Sequence, residues 1–269
     1  MLFIHCTKYQ YNYNDIYVCL AYGVLFMENY VSIGDAKIWT TIHDNLKEEK
    51  PYLCLCGGGP GIMDSLSDVD DLLYERFNII RWEQRGCGRS TADGNYSIYI
   101  AIDDLESIRK FYGIKQWFIG GHSWGAGLSL AYALSYQDNC KGIIYISGIG
   151  MQNDNDWIEE FNNNCKKLEG PEVPLPSEFS INFDVLNIGQ RSFNDYIKRP
   201  MLYKEISELR VPVLILYGTN DIRPVWPVVQ LSYLLPNCIT KMIDGAGHFI
   251  WIDKPLELQN AVFLWLDNL

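Results

Sequence analysis

Gly121-His122-Ser123-Trp124-Gly125 is the stretch whose reading decides the fold. Trp117-Phe118-Ile119-Gly120 precedes it, an apolar run with the character of a short buried strand. Ala126 to Leu134 follows it and reads as a helix packed closely at its start. Strand, sharp turn and helix, with Gly-x-Ser-x-Gly at the turn, is the context a nucleophile elbow needs. The reason is steric. A serine on so tight a turn sits in strained backbone, and the residues two before and two after it must be small. Gly121 and Gly125 let strand and helix approach, and the Ser123 hydroxyl is pushed out at the top of the sheet. The competing reading is a serine in an ordinary tight turn.

Upstream of the elbow, Asn29 to Ile33 and Ala36 to Ile42 read as a hairpin turning at Gly34-Asp35. Tyr52-Leu53-Cys54-Leu55-Cys56 is apolar throughout, as strands buried on both faces are. It runs into Gly57-Gly58-Gly59-Pro60-Gly61, a bare and kinked backbone that offers N–H groups to a developing oxyanion. Asp68 to Arg76 is predicted as a helix, Phe77 to Trp82 as a strand, and Glu83 to Ser90 as a charged glycine loop. Ser97 caps a helix running to Tyr112, with Ile98, Ile102, Leu105, Ile108 and Phe111 on one face and Gly113 as its stop. Downstream, Gly142 to Ile146 is another strand. The alternation argues for a parallel sheet with helices on both faces.

The rhythm breaks near residue 150. Residues 151–209 hold no convincing core strand; Asp156 with Glu159 forms a capping-box start for a helix bearing Trp157, Phe161, Cys165 and Leu168. This segment is expected to be a short, mostly helical cap. Strand and helix resume with Val211 to Tyr217, then Cys238 to Ile243, then a helix from near Pro255. The expected division is therefore an extension over 1–26, a core over 27–150 and 210–269, and a cap over 151–209. Residues 1–26 show no clear period, and their apolar run from Ile16 to Met27 is too short to span a bilayer.

A chain of 269 residues can bury one large core. Its net charge of −11 argues against a nucleic-acid partner and against an anionic membrane surface. The 8 cysteines include no Cys-x-x-Cys and do not cluster with histidines, which points to a reducing, cytoplasmic setting. No zinc site, other metal or cofactor is expected.

A serine hydroxyl needs a base, and the base needs a carboxylate to hold its tautomer. Only four histidines exist. His5 lies in the extension, His43 ends the second strand, and His122 is held by the elbow, where it packs or hydrogen-bonds locally. His248 remains, in a loop after the Cys238–Ile243 strand. Asp221 follows the strand ending at Tyr217 and lies between serine and histidine in the chain; Asp244 is its rival. The expected oxyanion donors are the backbone N–H groups of Trp124 and Gly59.

These residues carry a resemblance. Gly57 to Gly61 is similar to the His-Gly-Gly-Pro-Gly loop of the proline iminopeptidase branch of the α/β-hydrolase superfamily. Glu83-Gln84-Arg85-Gly86-Cys87-Gly88-Arg89-Ser90 is similar to that branch's Asp-Gln-Arg-Gly-Cys-Gly-Arg-Ser. Asp104 to Arg109, Gly113 and Trp117 resemble its run into the elbow. The likeness covers roughly 28–150 and 210–269. Gly57 stands where the branch has histidine, Glu83 where it has aspartate, and His122 where it has glycine. The resemblance implies an α/β-hydrolase fold, a mostly parallel sheet flanked by helices. It also implies a serine hydrolase that releases an N-terminal residue from short peptides. In that branch, cap carboxylates hold the substrate's amine; here the acidic cap offers Glu159, Glu160, Glu169, Glu172 and Glu178, with Trp157 and Phe161 as candidate apolar walls. The alternatives are a carboxylesterase or lactonase acting on small apolar esters, and a non-catalytic binder of a small ligand. The sequence leaves the oligomeric state open.

Overall fold

A computed structural model describes residues 7–11, 14–19, 24–45, 48–92, 94–151, 155–168 and 180–269. In chain order the elements are β1 (Thr7–Tyr11), β2 (Asn14–Cys19), β3 (Val24–Ile33), β4 (Ala36–Asn45), β5 (Tyr52–Cys56), α1 (Ser67–Leu73) and β6 (Asn78–Trp82). Then come α2 (Ile98–Phe111), β7 (Trp117–His122), α3 (Trp124–Ser135), β8 (Cys140–Ile146), α4 (Asn155–Cys165), α5 (Phe183–Ile197) and α6 (Leu202–Ser207). The chain closes with β9 (Val213–Gly218), α7 (Trp226–Leu234), β10 (Cys238–Ile243), α8 (Ile250–Asp253) and α9 (Pro255–Leu266).

The described strands form one sheet in the order β1-β2-β3-β4-β6-β5-β7-β8-β9-β10. From β6 to β10 all neighbours are parallel, and β1 to β4 are antiparallel, including the pairing of β4 with β6. This is the α/β-hydrolase fold. Successive residues of the central strands face opposite layers, as the strand period of two requires. Cys54, Cys56, Ile143, Tyr145, Val213 and Ile215 pack with α2, α3, α5, α6 and α7. Leu53, Leu55, Ile144, Ile146, Leu214 and Leu216 pack with α1, α8 and α9. Both faces are covered, which is why these strands are apolar at every position.

Several elements differ from expectation. Residues 7–11 and 14–19 form two strands, the second pairing with β3 and the first with the second, with Tyr9 opposite Ile16 and Tyr17 opposite Phe26. β3 begins at Val24 and so crosses the expected boundary at Met27. The strand period was present in the spacing of Tyr9 and Tyr11 and of Ile16 and Val18, but in runs too short to stand out. Helix α4 starts at Asn155, so Asp156 lies in its first turn and is not the cap. The strand Cys238–Ile243 is where it was expected, but as the sheet edge it leaves Ile239 to Met242 exposed. Ser97 caps α2 as expected, its hydroxyl accepting from the Ile100 N–H. Among the described residues no helix is long and apolar enough to cross a membrane.

Candidate active site

Ser123 sits between β7 and α3 with φ 57° and ψ −118°. A non-glycine residue in this region stores about 1–3 kcal/mol of strain, which the surrounding packing must hold. The glycines explain how. A Cβ on Gly121 would overlap the Gly125 carbonyl, and one on Gly125 would overlap the carbonyls of Cys56 and Gly57. Helix α3 can therefore start directly against β5 and β7. Its N-terminus, with Trp124 as the first residue, directs backbone N–H groups and the positive end of the helix dipole toward the serine.

Gly59, the other expected donor, lies in the loop after β5 with φ +108°. The loop is tied to the segment entering α5, where the Asn182 N–H donates to the Gly61 carbonyl at 2.8 Å. Asn182 also caps α5, its Oδ1 accepting from Asp184 N at 3.0 Å, and its Nδ2 donates to the Gly86 carbonyl at 2.8 Å. One residue, through its backbone N–H and its side chain, thus joins the helical segment to both glycine loops. The 83–90 loop is closed by Glu83, which is fully buried and accepts from Arg89 Nη2 at 2.8 Å and from the Asp64 N–H at 3.2 Å.

Asp221 follows β9 and His248 follows β10, so the parallel strands deliver both to the end of the sheet where Ser123 sits. His248 Nδ1 lies 2.7 Å from Asp221 Oδ2, and both side chains are buried. An ionised carboxylate can only accept, so Nδ1 carries the proton and Nε2 is left as the basic nitrogen. The second oxygen of Asp221 accepts from the Arg223 N–H at 3.0 Å and from Arg223 Nη1 at 3.2 Å. Burial by itself would raise the Asp221 pKa; the hydrogen bond to His248, the charge of His248 and that of Arg223 outweigh it and hold the carboxyl below its usual value. Asp244, the rival carboxylate, is exposed and accepts from Thr219 Oγ1 at 3.3 Å.

His122 is buried, and its hydrogen bond is not local in sequence. Its Nε2 lies 3.1 Å from the carbonyl oxygen of His248. Its ring centroid is 4.4 Å from that of His248, which brings the loop carrying His248 against the elbow.

The cap candidates separate into two groups. Trp157 is buried and stacks on Phe161, with ring centroids 5.2 Å apart. Glu159 is exposed, and the exposed Glu160 accepts from the Trp226 indole N–H at 3.1 Å. Glu169, Glu172 and Glu178 lie outside the described residues. Helix α4 meets the start of α7 through the Glu160–Trp226 bond, and the turn carrying Asp221 through Asn164 Nδ2 donating to the Ile222 carbonyl at 2.9 Å and Phe161 beneath the Arg223 guanidinium at 5.5 Å. The sequence reading missed Arg223 and Asn182. A Gly-x-x-Asp turn followed two residues on by arginine was a signal for the first; no motif marks the second.

The comparisons with known proteins agree with this fold. A family model described as alpha/beta hydrolase fold matches residues 51–170. The proline iminopeptidase of Lactobacillus delbrueckii subsp. bulgaricus is 25% identical, over 89% of this chain and 97% of its own. That of Saccharolobus solfataricus is 33% identical over 48% of this chain and 43% of its own. Among solved structures, the proline iminopeptidase of Mycobacterium smegmatis superposes with a TM-score of 0.68 at 16% identity, covering 90% of this chain and 98% of that one, and at this identity shows the fold. The chain is a hydrolase of the α/β-hydrolase fold that resembles the proline iminopeptidase branch.

Proposed function

We propose that the chain is a serine hydrolase in which Ser123, His248 and Asp221 act as one unit. The observation that carries the reading is the buried 2.7 Å bond between His248 Nδ1 and Asp221, which leaves Nε2 as the basic nitrogen on a loop at the same end of the sheet as the strained serine. Ser123 Oγ attacks the substrate carbonyl carbon while His248 Nε2 takes the hydroxyl proton. The oxyanion is met by the N–H groups of Trp124 and Gly59. His248 returns the proton to the leaving group, leaving an acyl ester on Ser123. Water, deprotonated in turn by His248, releases the acid and restores the serine. A binder would need neither the strained serine nor the buried pair.

For the substrate we infer an N-terminal residue of short peptides, with proline as the first candidate. Support comes from the relatives named proline iminopeptidase that run the length of this chain. An ammonium group entering a cleft must be paired with a carboxylate. Glu160 accepts from the Trp226 indole and Glu159 is exposed, while Glu169, Glu172 and Glu178 lie outside the described residues; all five stay candidates for this role. The engagement of Glu160 is also what favours a second reading, a carboxylesterase or lactonase on small apolar esters, which needs only apolar walls such as Trp157 and Phe161. Turnover of proline p-nitroanilide and of p-nitrophenyl butyrate by one preparation separates the two. Faster kcat/KM on the anilide supports the aminopeptidase reading; turnover of the ester alone replaces it with the second.

A further inference from the structure

His122 touches three loops at once. It ends β7, so it belongs to the elbow. Its Nε2 reaches the His248 carbonyl, and a carbonyl only accepts, so Nε2 carries the proton. Its Nδ1 faces the glycine loop, where a Cβ on Gly58 would come within 3.0 Å of it. The rest of the ring is enclosed. Trp251 meets it edge-on at 4.7 Å, Phe249 lies at 5.1 Å and the His248 ring at 4.4 Å. Burial pushes the His122 pKa well below that of a free imidazole, and the charges of His248 and Arg223 push it the same way. The neutral ring can donate through Nε2 without opposing the imidazolium that forms on His248 during turnover.

The loop bearing His248 needs such a support. It leaves the exposed edge strand β10, which is paired on one side by β9. Its other ties include the Gly247 N–H to Asp253 Oδ2 at 2.8 Å, the Gly245 N–H to Thr219 Oγ1 at 2.9 Å, the Asn220 N–H to the Ala246 carbonyl at 2.8 Å and His248 itself to Asp221. These run to α8 and to the turn after β9, not to the strand that carries the nucleophile. We infer that His122 is a positioning residue: its Nε2–H bond to the His248 carbonyl fastens the backbone of the general base to the elbow and fixes base and nucleophile against each other. The inference rests on the reading of Ser123, His248 and Asp221 given above. A displacement near 1 Å at a reacting group costs on the order of a hundredfold in rate, so loss of this one bond is visible in kinetics.

The test is the second-order rate of labelling by a fluorophosphonate probe, read by intact mass, in full-length variants of unchanged far-UV circular dichroism. His122→Phe keeps a ring and removes the donor. His122→Asn keeps polarity but is too short to reach the carbonyl, and serves if the phenylalanine variant does not fold. His122→Gln places an amide donor near the position of Nε2. Labelling is expected to slow about 10- to 100-fold in His122→Phe and His122→Asn and to return within about threefold of wild type in His122→Gln. The downfield proton resonance of the His248–Asp221 bond should broaden in the first two and persist in the third. Wild-type labelling rates in His122→Phe or His122→Asn would overturn the inference, as would a His122→Gln variant no faster than they are. The control is His248→Ala. If it is slow while His122→Phe is not, the positioning role alone falls. If it labels at the wild-type rate, the base itself is misassigned and the inference falls with it.

Discussion

At the scale of single residues, Asp221 divides its carboxylate between two partners. Oδ2 serves His248 and Oδ1 serves Arg223. Asp221→Asn should lower kcat by about 10³–10⁴ with little change in fold, because the amide favours the wrong imidazole tautomer. Asp244→Asn should leave kcat within a few-fold, and the reverse ranking would move the acid to Asp244. His122 gives a pH prediction. Its folded pKa lies well below 6.5, the value an unconstrained imidazole shows, so the folded protein refuses a proton that the unfolded chain accepts. This penalty is absent above pH 6.5 and grows as the pH falls below it. Between pH 7.5 and 5.5 the melting temperature of wild type should therefore fall by more than that of His122→Gln; parallel curves would mean that His122 titrates normally. Ser123, His248 and Asp221 could be put forward from the sequence because a turn motif, the scarcity of histidines and the order along the chain each constrain one of them. Arg223 was not, since a second partner of a carboxylate leaves no spacing pattern.

At the scale of elements, α2 is bound to the elbow helix α3 through Glu106. Its carboxylate accepts from Arg109 Nη2 at 2.6 Å and from the Tyr132 hydroxyl at 2.9 Å. Burial would raise the Glu106 pKa, but the hydrogen bonds from Arg109 and Tyr132 and the Arg109 charge overcome it and bring it down to about 2 from 4.5. A depressed carboxylate stabilises the fold above its unfolded pKa and loses that contribution as pH falls through the folded one. The destabilisation caused by Glu106→Gln should thus be full at pH 6 and shrink between about 4.5 and 2. A melting-temperature gap that stayed constant over that window would exclude the mechanism. The sequence showed α2 by its apolar face and its Ser97 cap, but not this tie, because a buried carboxylate in a helix looks like a solvated one until its partners are placed. The first two strands were missed for a different reason. Their pairing covers the edge of β3, and an exposed edge invites pairing with a second chain. Removing residues 1–23 should increase self-association measured by light scattering; a monodisperse monomer would show that β3 needs no cover.

At the scale of the whole molecule, parallel pairing from β6 to β10 brings the loops after β5, β7, β9 and β10 to one end of the sheet. The fold could be read from the sequence because apolar strands and glycine turns report burial on both faces directly. The middle segment could not be read to the same depth; its helices face the core along one stripe only, and what fills the cleft depends on tertiary docking. The net charge of −11 adds a substrate-level prediction. If the substrate carries an ammonium group, its approach is favoured by the protein's field and screened by salt. The kcat/KM for proline p-nitroanilide should then fall as ionic strength rises, while that for a neutral ester stays nearly level; equal salt responses would remove the ammonium from the argument. The central claim is that Ser123 forms a covalent intermediate with the help of His248. Peptide mapping by mass spectrometry after fluorophosphonate treatment tests it most directly. The account predicts one adduct per chain on the peptide carrying Ser123, absent in Ser123→Ala and strongly slowed in His248→Ala; an adduct that persists in Ser123→Ala or maps to another residue would contradict it.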